Sequence, residues 1–448
     1  MKITNKNETF LLFLGDVFFF VLALWLTLFI RFQVIPEPVI FFDHLEAFVF
    51  IFALWVSVFF ISGLYEKHTL ILKSRIPTII FNAQIINSGI AVLFFYFVPI
   101  FGIAPKTNLF VYVVLSFFLI LFWRNTGVEF LSSKERESAI LIGSGEEVEE
   151  LKEEVNNNSL YGINFVTSVD VKKTDPKESQ EKIVQAVRDN NITVVAADLR
   201  DLNVQPLLPN LYRMIFSRVR FIDMYKIYED IFDRVPMSLI RDDWFLSNVA
   251  GTVSRSYDIF KRALDLVGAL LVGLVSLLFY PLIIIAIKLE DGGPIFFAQD
   301  RVGQNNKIFT TYKFRSMTVH NEKDGIAKDA EVTRIGNFLR KTRLDELPQI
   351  WNVIRGDLSL VGPRPEIPAL VEVYEKEIPY YNVRHLIKPG LSGWAQLYQR
   401  TPPKWAAAVH ETKLKLSYDL YYLKNRSFML DVKIGLKTIK TLVSIAGI

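Results

Sequence analysis

Two adjacent carboxylates, Asp345 and Glu346, lie in the segment RKTRLDELPQIWNVIRGD at residues 340–357. Pro348 suits the first turn of a helix and Gly356 suits its end, which predicts that the pair lies near a helix N-terminus, where the helix dipole stabilises anions. Two carboxylates beside cations can hold Mg²⁺ together with a phosphorylated substrate, and a carboxylate can attack phosphorus to form an acyl phosphate. Adjacent acids also commonly cap a helix without further function, so the interpretation depends on their neighbours.

Cationic side chains near the pair favour a phosphate site. Lys313 and Arg315, in KFRSM, are predicted on one side of a strand-like segment. Arg364 lies between two prolines that fix its backbone, and a rigidly held guanidinium suits phosphate recognition. Each motif alone is more often structural, but together they predict a site for a phosphate-rich substrate. Three further cations lie just upstream of the pair: Arg340, Lys341 and Arg343.

The composition narrows the class of protein. The chain has 448 residues, of which 51% are hydrophobic, so it is long enough for several domains and too apolar for a typical soluble protein. It has no cysteine, which excludes disulfides, thiolate zinc sites and a thiol nucleophile, and its 5 histidines are scattered. Its last third is basic. Phosphate substrates or anionic lipids are therefore favoured as partners, and nucleic acid is not expected because the chain is anchored in a membrane.

Four apolar segments predict a four-helix transmembrane domain at residues 1–133. A helix needs about 20 apolar residues to cross a hydrocarbon core about 30 Å thick. Lysines and arginines concentrate before the first segment, between the second and third, and after the fourth, which predicts that both ends of this domain are cytoplasmic. The four predicted spans are residues 9–30, 47–65, 76–105 and 107–123.

Asp16 is the acid inside the first predicted span. An ionisable residue within the membrane is by default a sign of function. We favour a polar contact between spans over a functional role.

Residues 134–250 alternate between strand-like and helical segments, which predicts a cytoplasmic, Rossmann-like α/β domain with a parallel sheet. Gly143 and Gly145 match part of a dinucleotide-binding fingerprint, but the third glycine is missing. The acids at 146–150 would also repel a pyrophosphate. A fold-only or regulatory domain is favoured, and a bound nucleotide stays open.

A fifth apolar run at residues 266–287 lies within the predicted catalytic domain at 251–448. Pro281 removes a backbone donor and favours a bend. The run either crosses the membrane or enters and turns back as a re-entrant helix at about 262–288, and we favour re-entrance. At the C-terminus, residues 428–448 predict a helix with one apolar and one basic face, which either lies in the membrane interface or packs as an ordinary helix.

Residues 257–448 resemble the bacterial sugar transferase family, the monotopic polyprenyl-phosphate phosphoglycosyl transferases. The preceding spans and α/β domain resemble the long form of that family, which includes undecaprenyl-phosphate galactose and glucose phosphotransferases. The motifs that carry the resemblance occur in the family's order: KRxxD from 261, FxAQDRVG from 296, KFRSM, LDELPQxWNV, GDxSLVGPRP and PGLSGWAQ.

The resemblance implies transfer of a sugar 1-phosphate from a UDP-sugar to undecaprenyl phosphate, with release of UMP, as a first membrane step of surface polysaccharide synthesis. It implies Asp345 as the nucleophile of an aspartyl phosphosugar intermediate. It also implies that Glu346, with Asp345, holds Mg²⁺, and that Arg340 and Arg364 lie around the substrate phosphates. Lys313 and Arg315 are weaker candidates for that role.

The family further implies a mainly α catalytic domain, a homodimer, and an active site on the cytoplasmic face of the bacterial inner membrane. The sequence departs from the family at two positions. Tyr280 precedes Pro281 where the family has serine at the helix break, and Lys388 stands where many members have arginine.

Two other functions stay open. A nucleotide-sugar dehydratase or epimerase would need a nicotinamide cofactor in the central domain, but Tyr161 and Tyr212 have no lysine four residues on. Loss of the two carboxylates or of the cations near them would favour a catalytically idle membrane scaffold, but all of these residues are present. The identity of the sugar cannot be read from the sequence.

Overall fold

The computed structural model describes residues 6–65, 76–98, 106–132, 136–158, 161–199, 201–214, 219–249, 255–318, 331–399 and 408–443. The chain divides into two compact units, Met1–Ile231 and Phe232–Ile448.

Four long apolar helices open the first unit, as the sequence predicts. They are long and apolar enough to cross a membrane, and they pack around a core of aromatic and branched side chains that includes Phe20, Trp55 and Tyr112. This arrangement makes them plausible as a membrane bundle. The helices are α1 (Lys6–Phe32), α2 (Pro38–Ile61), α3 (Ile76–Phe97) and α4 (Lys106–Ser132).

Asp16 forms a buried ion pair inside this bundle. Arg124 of α4 donates from Nε to Asp16 Oδ1 at 3.1 Å, and its Nη2 contacts the other carboxylate oxygen. The Tyr65 hydroxyl donates to Asp16 Oδ2 at 2.7 Å, and both charged side chains are fully buried. The contact between spans that the sequence favours is confirmed, and it ties α1 to α4.

We expect Asp16→Asn to destabilise the bundle by about 3 kcal/mol, because removal of one member of a buried pair leaves the other charge unpaired in an apolar surrounding. Asp16→Leu combined with Arg124→Leu should cost less than either single change. Thermal unfolding in detergent measures both effects, with the exposed Asp43→Asn as the matched control. Equal stability of Asp16→Asn and the control would contradict the role assigned to the pair.

A parallel four-stranded sheet follows in the first unit, in the strand order β2-β1-β3-β4. This agrees with the parallel sheet that the alternating segments predict, while the Rossmann-like assignment stays a prediction. The strands are β1 (Glu137–Ile142), β2 (Ile163–Val169), β3 (Val194–Ala197) and β4 (Arg220–Asp223). The helices between and after them are α5 (Glu146–Asn157), α6 (Pro176–Asp189), α7 (Leu208–Met214) and α8 (Met224–Phe232).

The second unit begins earlier than the boundary predicted after residue 250. The backbone of Val235 exchanges hydrogen bonds with Ser417, and the indole of Trp394 donates to the Asp233 carbonyl at 2.8 Å. The segment 232–249 therefore packs with the C-terminal unit. It contains α9 (Asp242–Asn248).

The fifth apolar run forms two helices, α10 (Arg255–Leu277) and α11 (Tyr280–Asp291), with a bend of 54° between them. Pro281 lies in the first turn of α11, where its missing N–H removes no helical hydrogen bond. The predicted bend is confirmed. It lies between Leu277 and Tyr280, two to three residues before Pro281. The re-entrant path itself stays a prediction.

The KRxxD motif anchors the start of α10 to the rest of the unit. Lys261 pairs with Asp431 at 3.0 Å, and Asp265 accepts from the Ser359 hydroxyl at 3.0 Å. Arg262 donates to two backbone carbonyls at the end of a later helix. Through these contacts the three residues hold α10 against the strands and helices that follow.

The remaining elements of the second unit are short. Two small sheets, antiparallel β5-β6 and parallel β7-β8, carry the loops around the carboxylates. Gly362 and Gly390 let the second sheet pair closely, because a Cβ on Gly390 would lie 2.1 Å from the Gly362 nitrogen. The strands are β5 (Phe296–Val302), β6 (Ile308–Phe314), β7 (Ser359–Val361) and β8 (Gly390–Ser392). The helices are α12 (Arg334–Thr342), α13 (Ile350–Arg355), α14 (Pro368–Glu377), α15 (Trp394–Tyr398), α16 (Val409–Asn425) and α17 (Phe428–Val443).

Helix α17 is the described part of the predicted two-faced C-terminal helix. Its basic face packs partly against aromatic rings, since Lys433 lies 4.9 Å from the Trp394 ring centroid and Lys437 lies 4.1 Å from that of Tyr398. Met429 and Ile439 are exposed. The helix therefore combines a packed face with apolar side chains that face outward.

Candidate active site

The carboxylates lie in the first turn of a 3-10 helix at Leu344–Gln349, which continues directly into α13. Arg343 ends α12 in the left-handed conformation, with φ of 59°, and so turns the chain into this helix. Pro348 lies inside the 3-10 helix and Gly356 caps α13 with φ of 99°. The predicted position near a helix N-terminus is confirmed, with a 3-10 first segment in place of an α-helical one.

Glu346 is surrounded by three cations from three parts of the unit. Lys313 of β6 donates from Nζ to Glu346 Oε1 at 2.7 Å, and Arg364 donates from Nη2 to the same oxygen at 3.1 Å. Arg343 Nη1 lies 4.0 Å from this oxygen. Burial raises the pKa of Glu346, but the charges of Arg364 and Lys313 outweigh it and hold that pKa well below its usual range. Glu346 is therefore ionised throughout the neutral range.

Asp345 has the opposite environment. Its side chain is buried, and its Oδ1 atom has no hydrogen-bond partner among the residues that the structure describes. Burial and then the neighbouring charge of Glu346 raise the pKa of Asp345 above its ordinary value, although Lys313, Arg343 and Arg340 oppose the rise. A desolvated carboxylate with an oxygen free of hydrogen bonds is more reactive toward an electrophile than a hydrated one.

A second, buried charge network supports Arg364 from behind. Arg384 donates to the Arg364 carbonyl at 2.9 Å and pairs with Asp419 at 2.7 Å. Lys415 pairs with Glu366. Burial raises the pKa of Glu366, but Lys415, Arg384 and Arg301 together lower it to about 2. Paired charges therefore hold the chain at the Arg364 carbonyl and at Glu366, two residues further on.

The structure brings some of the predicted cations to the carboxylates and not others. Lys313 and Arg364 contact Glu346 directly. Arg340 acts on Asp345 through its charge. Arg315 instead packs against the backbone at Gly293, where a Cβ would lie 1.8 Å from its Nη1 atom. The role of Arg315 at the substrate phosphates stays a prediction.

Two cations near Glu346 were not among the predicted site residues. Arg343 contacts its carboxylate. Arg301 of β5 donates to the Pro365 carbonyl at 3.2 Å. Burial lowers the pKa of Arg301, and the charges of Glu366 and, to a smaller extent, Glu346 oppose this shift. The position of Arg343 directly before LDE and that of Arg301 in DRVG were the available signals.

The residues present fit a magnesium ion that is shared with a substrate. No cluster of three or more histidine, aspartate or glutamate side chains suited to a metal occurs among the described residues. Mg²⁺ often binds through one or two carboxylates while water and substrate phosphates complete its octahedron. The described residues that contact the Glu346 carboxylate all contact its Oε1 atom. The Oδ1 atom of Asp345 has no hydrogen-bond partner among the described residues. Each carboxylate therefore retains an oxygen that could bind such an ion.

Comparison with known proteins identifies related sequences. Residues 256–445 match the family described as bacterial sugar transferase. A UDP-N-acetylgalactosamine-undecaprenyl-phosphate N-acetylgalactosaminephosphotransferase of Aeromonas hydrophila is 39% identical over 258 residues, which cover 56% of this chain and 59% of that protein. A UDP-galactose-lipid carrier transferase of Erwinia amylovora is 29% identical over 364 residues, covering 73% of this chain and 72% of the relative.

A third relative matches a smaller share of this chain. A UDP-glucose:undecaprenyl-phosphate glucose-1-phosphate transferase of Caulobacter vibrioides is 39% identical over 194 residues, which are 42% of this chain and 71% of that protein. The chain thus spans between about three fifths and three quarters of these three relatives. With its carboxylate pair and cations in the matched region, the chain belongs to the bacterial sugar transferase family.

Proposed function

We propose that this protein transfers a sugar 1-phosphate from a UDP-sugar to undecaprenyl phosphate. The observation that carries the proposal is the pairing of two carboxylates. Asp345 is buried and one of its oxygens has no hydrogen-bond partner among the described residues, and Glu346 is held ionised by Lys313 and Arg364. The names of the relatives, which act on UDP-sugars or undecaprenyl phosphate, support the same substrates.

The reaction proceeds in two displacements at the sugar-bearing phosphorus. In the first, an oxygen of the Asp345 carboxylate attacks that phosphorus, and the bond to the bridging oxygen of the diphosphate breaks. UMP leaves with the bridging oxygen, and the sugar phosphate is linked to Asp345 as an acyl phosphate. In the second, an oxygen of undecaprenyl phosphate attacks the same phosphorus, which releases the carboxylate and forms the diphosphate-linked sugar.

The cations around Glu346 stabilise negative charge during both steps. Lys313, Arg343 and Arg364 converge on one carboxylate oxygen, so they form a preorganised positive surface beside Asp345. Such a surface lowers the barrier to phosphoryl transfer because its dipoles and charges need no rearrangement when charge develops. Arg364 is fixed by its flanking prolines and by the Arg384 contact, which suits it to orient a phosphate.

Asp345 and Glu346 would hold Mg²⁺ together with the donor diphosphate. When bound, the ion would supply charge neutralisation of the leaving UMP.

The membrane setting follows from the substrates. UDP-sugars are cytosolic and undecaprenyl phosphate lies in the inner membrane, so the carboxylates are proposed at the cytoplasmic face, with α10 and α11 entering the bilayer and turning back. The product would begin a surface polysaccharide such as an exopolysaccharide, a capsule or an O-antigen. The homodimer and the absence of a nucleic-acid partner stay predictions.

The proposal is tested by measuring UMP release from a panel of UDP-sugars with purified full-length protein, undecaprenyl phosphate and Mg²⁺. We expect one or a few sugars to give UMP and a lipid-linked sugar, with loss of lipid-linked product when the lipid or the metal is removed. Bound nicotinamide in the purified protein together with no UMP from any donor would favour the dehydratase or epimerase alternative.

The raised pKa of Asp345 predicts the acid limb of the first step. Only the ionised carboxylate attacks, so UMP release in the absence of acceptor lipid should fall as the pH drops through an apparent pKa above the ordinary aspartate value. Arg343→Gln removes a cation that opposes the rise, so the limb should move to higher pH. Lys341→Gln, an exposed lysine of α12, removes the same charge elsewhere and is the control. An acid limb that is unmoved by Arg343→Gln would contradict this assignment.

A further inference from the structure

A cavity of about 250 Å³ lies beside the first turns of α10. Among the described residues, none that lines this cavity belongs to the cluster of Asp345, Glu346 and the cations around them. Both acids of the lining already have partners. Asp265 accepts a hydrogen bond from Ser359, and Asp258 Oδ1 lies 3.5 Å from Arg426 Nη1. The lining therefore carries more positive than negative charge. Four cationic side chains contribute to it: Lys261, Arg262, Lys388 and Arg426.

Two of these cations are held close to one point. A Cβ on Gly356 would lie 3.4 Å from Arg262 Nη2 and 3.5 Å from Lys388 Nζ. Arg262 is fixed there because it donates to the Val353 and Ile354 carbonyls at the end of α13. Lys388 has no ion pair or hydrogen bond with any residue that the structure describes. Two like charges in a partly enclosed space repel each other, so an anion between them is stabilised.

Arg426 gives a second, independent sign of a missing partner. Its Nε atom is buried and makes no hydrogen bond among the described residues, although Nη1 lies 3.5 Å from Asp258. The guanidinium is held in place over the Tyr257 ring, 5.6 Å from its centroid. A buried donor without an acceptor costs free energy, which a bound anion would recover.

Exposed apolar side chains lie next in sequence to residues of the cavity lining. The rings of Phe260 and Phe428 pack with centroids 5.3 Å apart, next in sequence to Lys261 and close to Arg426. Phe260, Phe428 and the neighbouring Met429 are exposed. A positive cavity beside exposed apolar side chains, in a chain with membrane helices, matches an amphiphile that carries a phosphate on hydrocarbon chains.

We propose that this cavity binds the phosphate of an anionic phospholipid. Arg262, Lys388 and Arg426 would face the phosphate, and the acyl chains would lie against Phe260 and Phe428. Because Arg262 also holds the last carbonyls of α13, the bound lipid would stabilise the helix that follows the carboxylates. This site does not depend on the proposed reaction.

The absence of cysteine allows a direct test with one introduced thiol. Gln304→Cys places the thiol in the cavity lining of the full-length protein, and its rate of modification by N-ethylmaleimide is followed by mass spectrometry. The protein is placed in nanodiscs of phosphatidylcholine alone, of phosphatidylcholine with phosphatidylglycerol, or of phosphatidylcholine with added inorganic phosphate. Lys388→Gln is added to remove the unpaired cation, and Lys376→Gln, an exposed lysine of α14, removes the same charge away from the cavity.

Phosphatidylglycerol should slow modification by about fivefold, as expected for a phosphate held by cations at the membrane surface. Lys388→Gln should remove most of this protection, and Lys376→Gln should retain it. Equal rates in the two lipid mixtures, or protection unaffected by Lys388→Gln, would overturn the site. Equal protection by inorganic phosphate in phosphatidylcholine would overturn the lipid assignment, because a free anion would then suffice.

Discussion

Asp345→Asn is expected to lower UMP release by about a thousandfold or more, because it removes the nucleophile while preserving the size of the side chain. Asp345 is buried, and its Oδ1 accepts no hydrogen bond from any residue in the described part of the chain, so the asparagine can occupy the same space. The loss should appear in the first step, measured as UMP released in a single turnover without acceptor lipid. Binding of the UDP-sugar should change much less, since Lys313 and Arg364 remain.

The control for this prediction is Asp300→Asn, which removes an exposed carboxylate from the neighbouring strand β5. It should release UMP at nearly the rate of the unmodified protein. A single-turnover rate of Asp345→Asn close to that of the control would contradict covalent catalysis by Asp345, even if the protein transfers the sugar phosphate by direct displacement.

Glu346→Gln is expected to reduce both activity and stability. Glutamine cannot neutralise Lys313, Arg343 and Arg364, which converge on the carboxylate, and it is a poor ligand for Mg²⁺. We expect about a hundredfold slower UMP release and a free energy of unfolding lower by about 3 kcal/mol, as is usual when one member of a buried charge cluster is removed. Thermal unfolding and the UMP assay measure the two effects.

A second change separates these two effects. Lys313→Met in the Glu346→Gln background removes one unbalanced cation, so it should recover part of the stability without restoring activity. Glu377→Gln, at the exposed end of α14, is the matched control and should change neither. Recovery of activity in the double variant would show that Glu346 serves only to neutralise Lys313.

The location of the carboxylates could be predicted because the relevant signals are local. Gly356 ends the helical segment as predicted, whereas Pro348 lies inside the 3-10 helix, two residues before α13 begins. The bend before Pro281 follows in the same way from a proline in an apolar run. These predictions need only the conformational restrictions of single residues.

Other features depend on contacts between distant residues. Arg124 lies 108 residues from Asp16 in sequence, so the polar contact was predictable but its partner was not. The Arg315 N–H still donates to the Ile295 carbonyl at 2.9 Å, beyond the end of β6 at Phe314, but its side chain packs at Gly293, a contact that strand alternation alone does not predict. Arg343 itself adopts the left-handed backbone conformation between two helices, and its approach to Glu346 depends on this. The conformation is uncommon for arginine, so the sequence does not predict it.

The central claim is that Asp345 carries the sugar phosphate between the two steps. The most direct measurement is intact and peptide mass spectrometry of the full-length protein, quenched at acid pH after incubation with a UDP-sugar and Mg²⁺ but without acceptor lipid. We expect one added sugar phosphate per chain, located on the peptide that contains Asp345, absent in Asp345→Asn, and removed on addition of undecaprenyl phosphate. A sugar-phosphate adduct on another residue, or UMP release in a single turnover without any adduct, would contradict it.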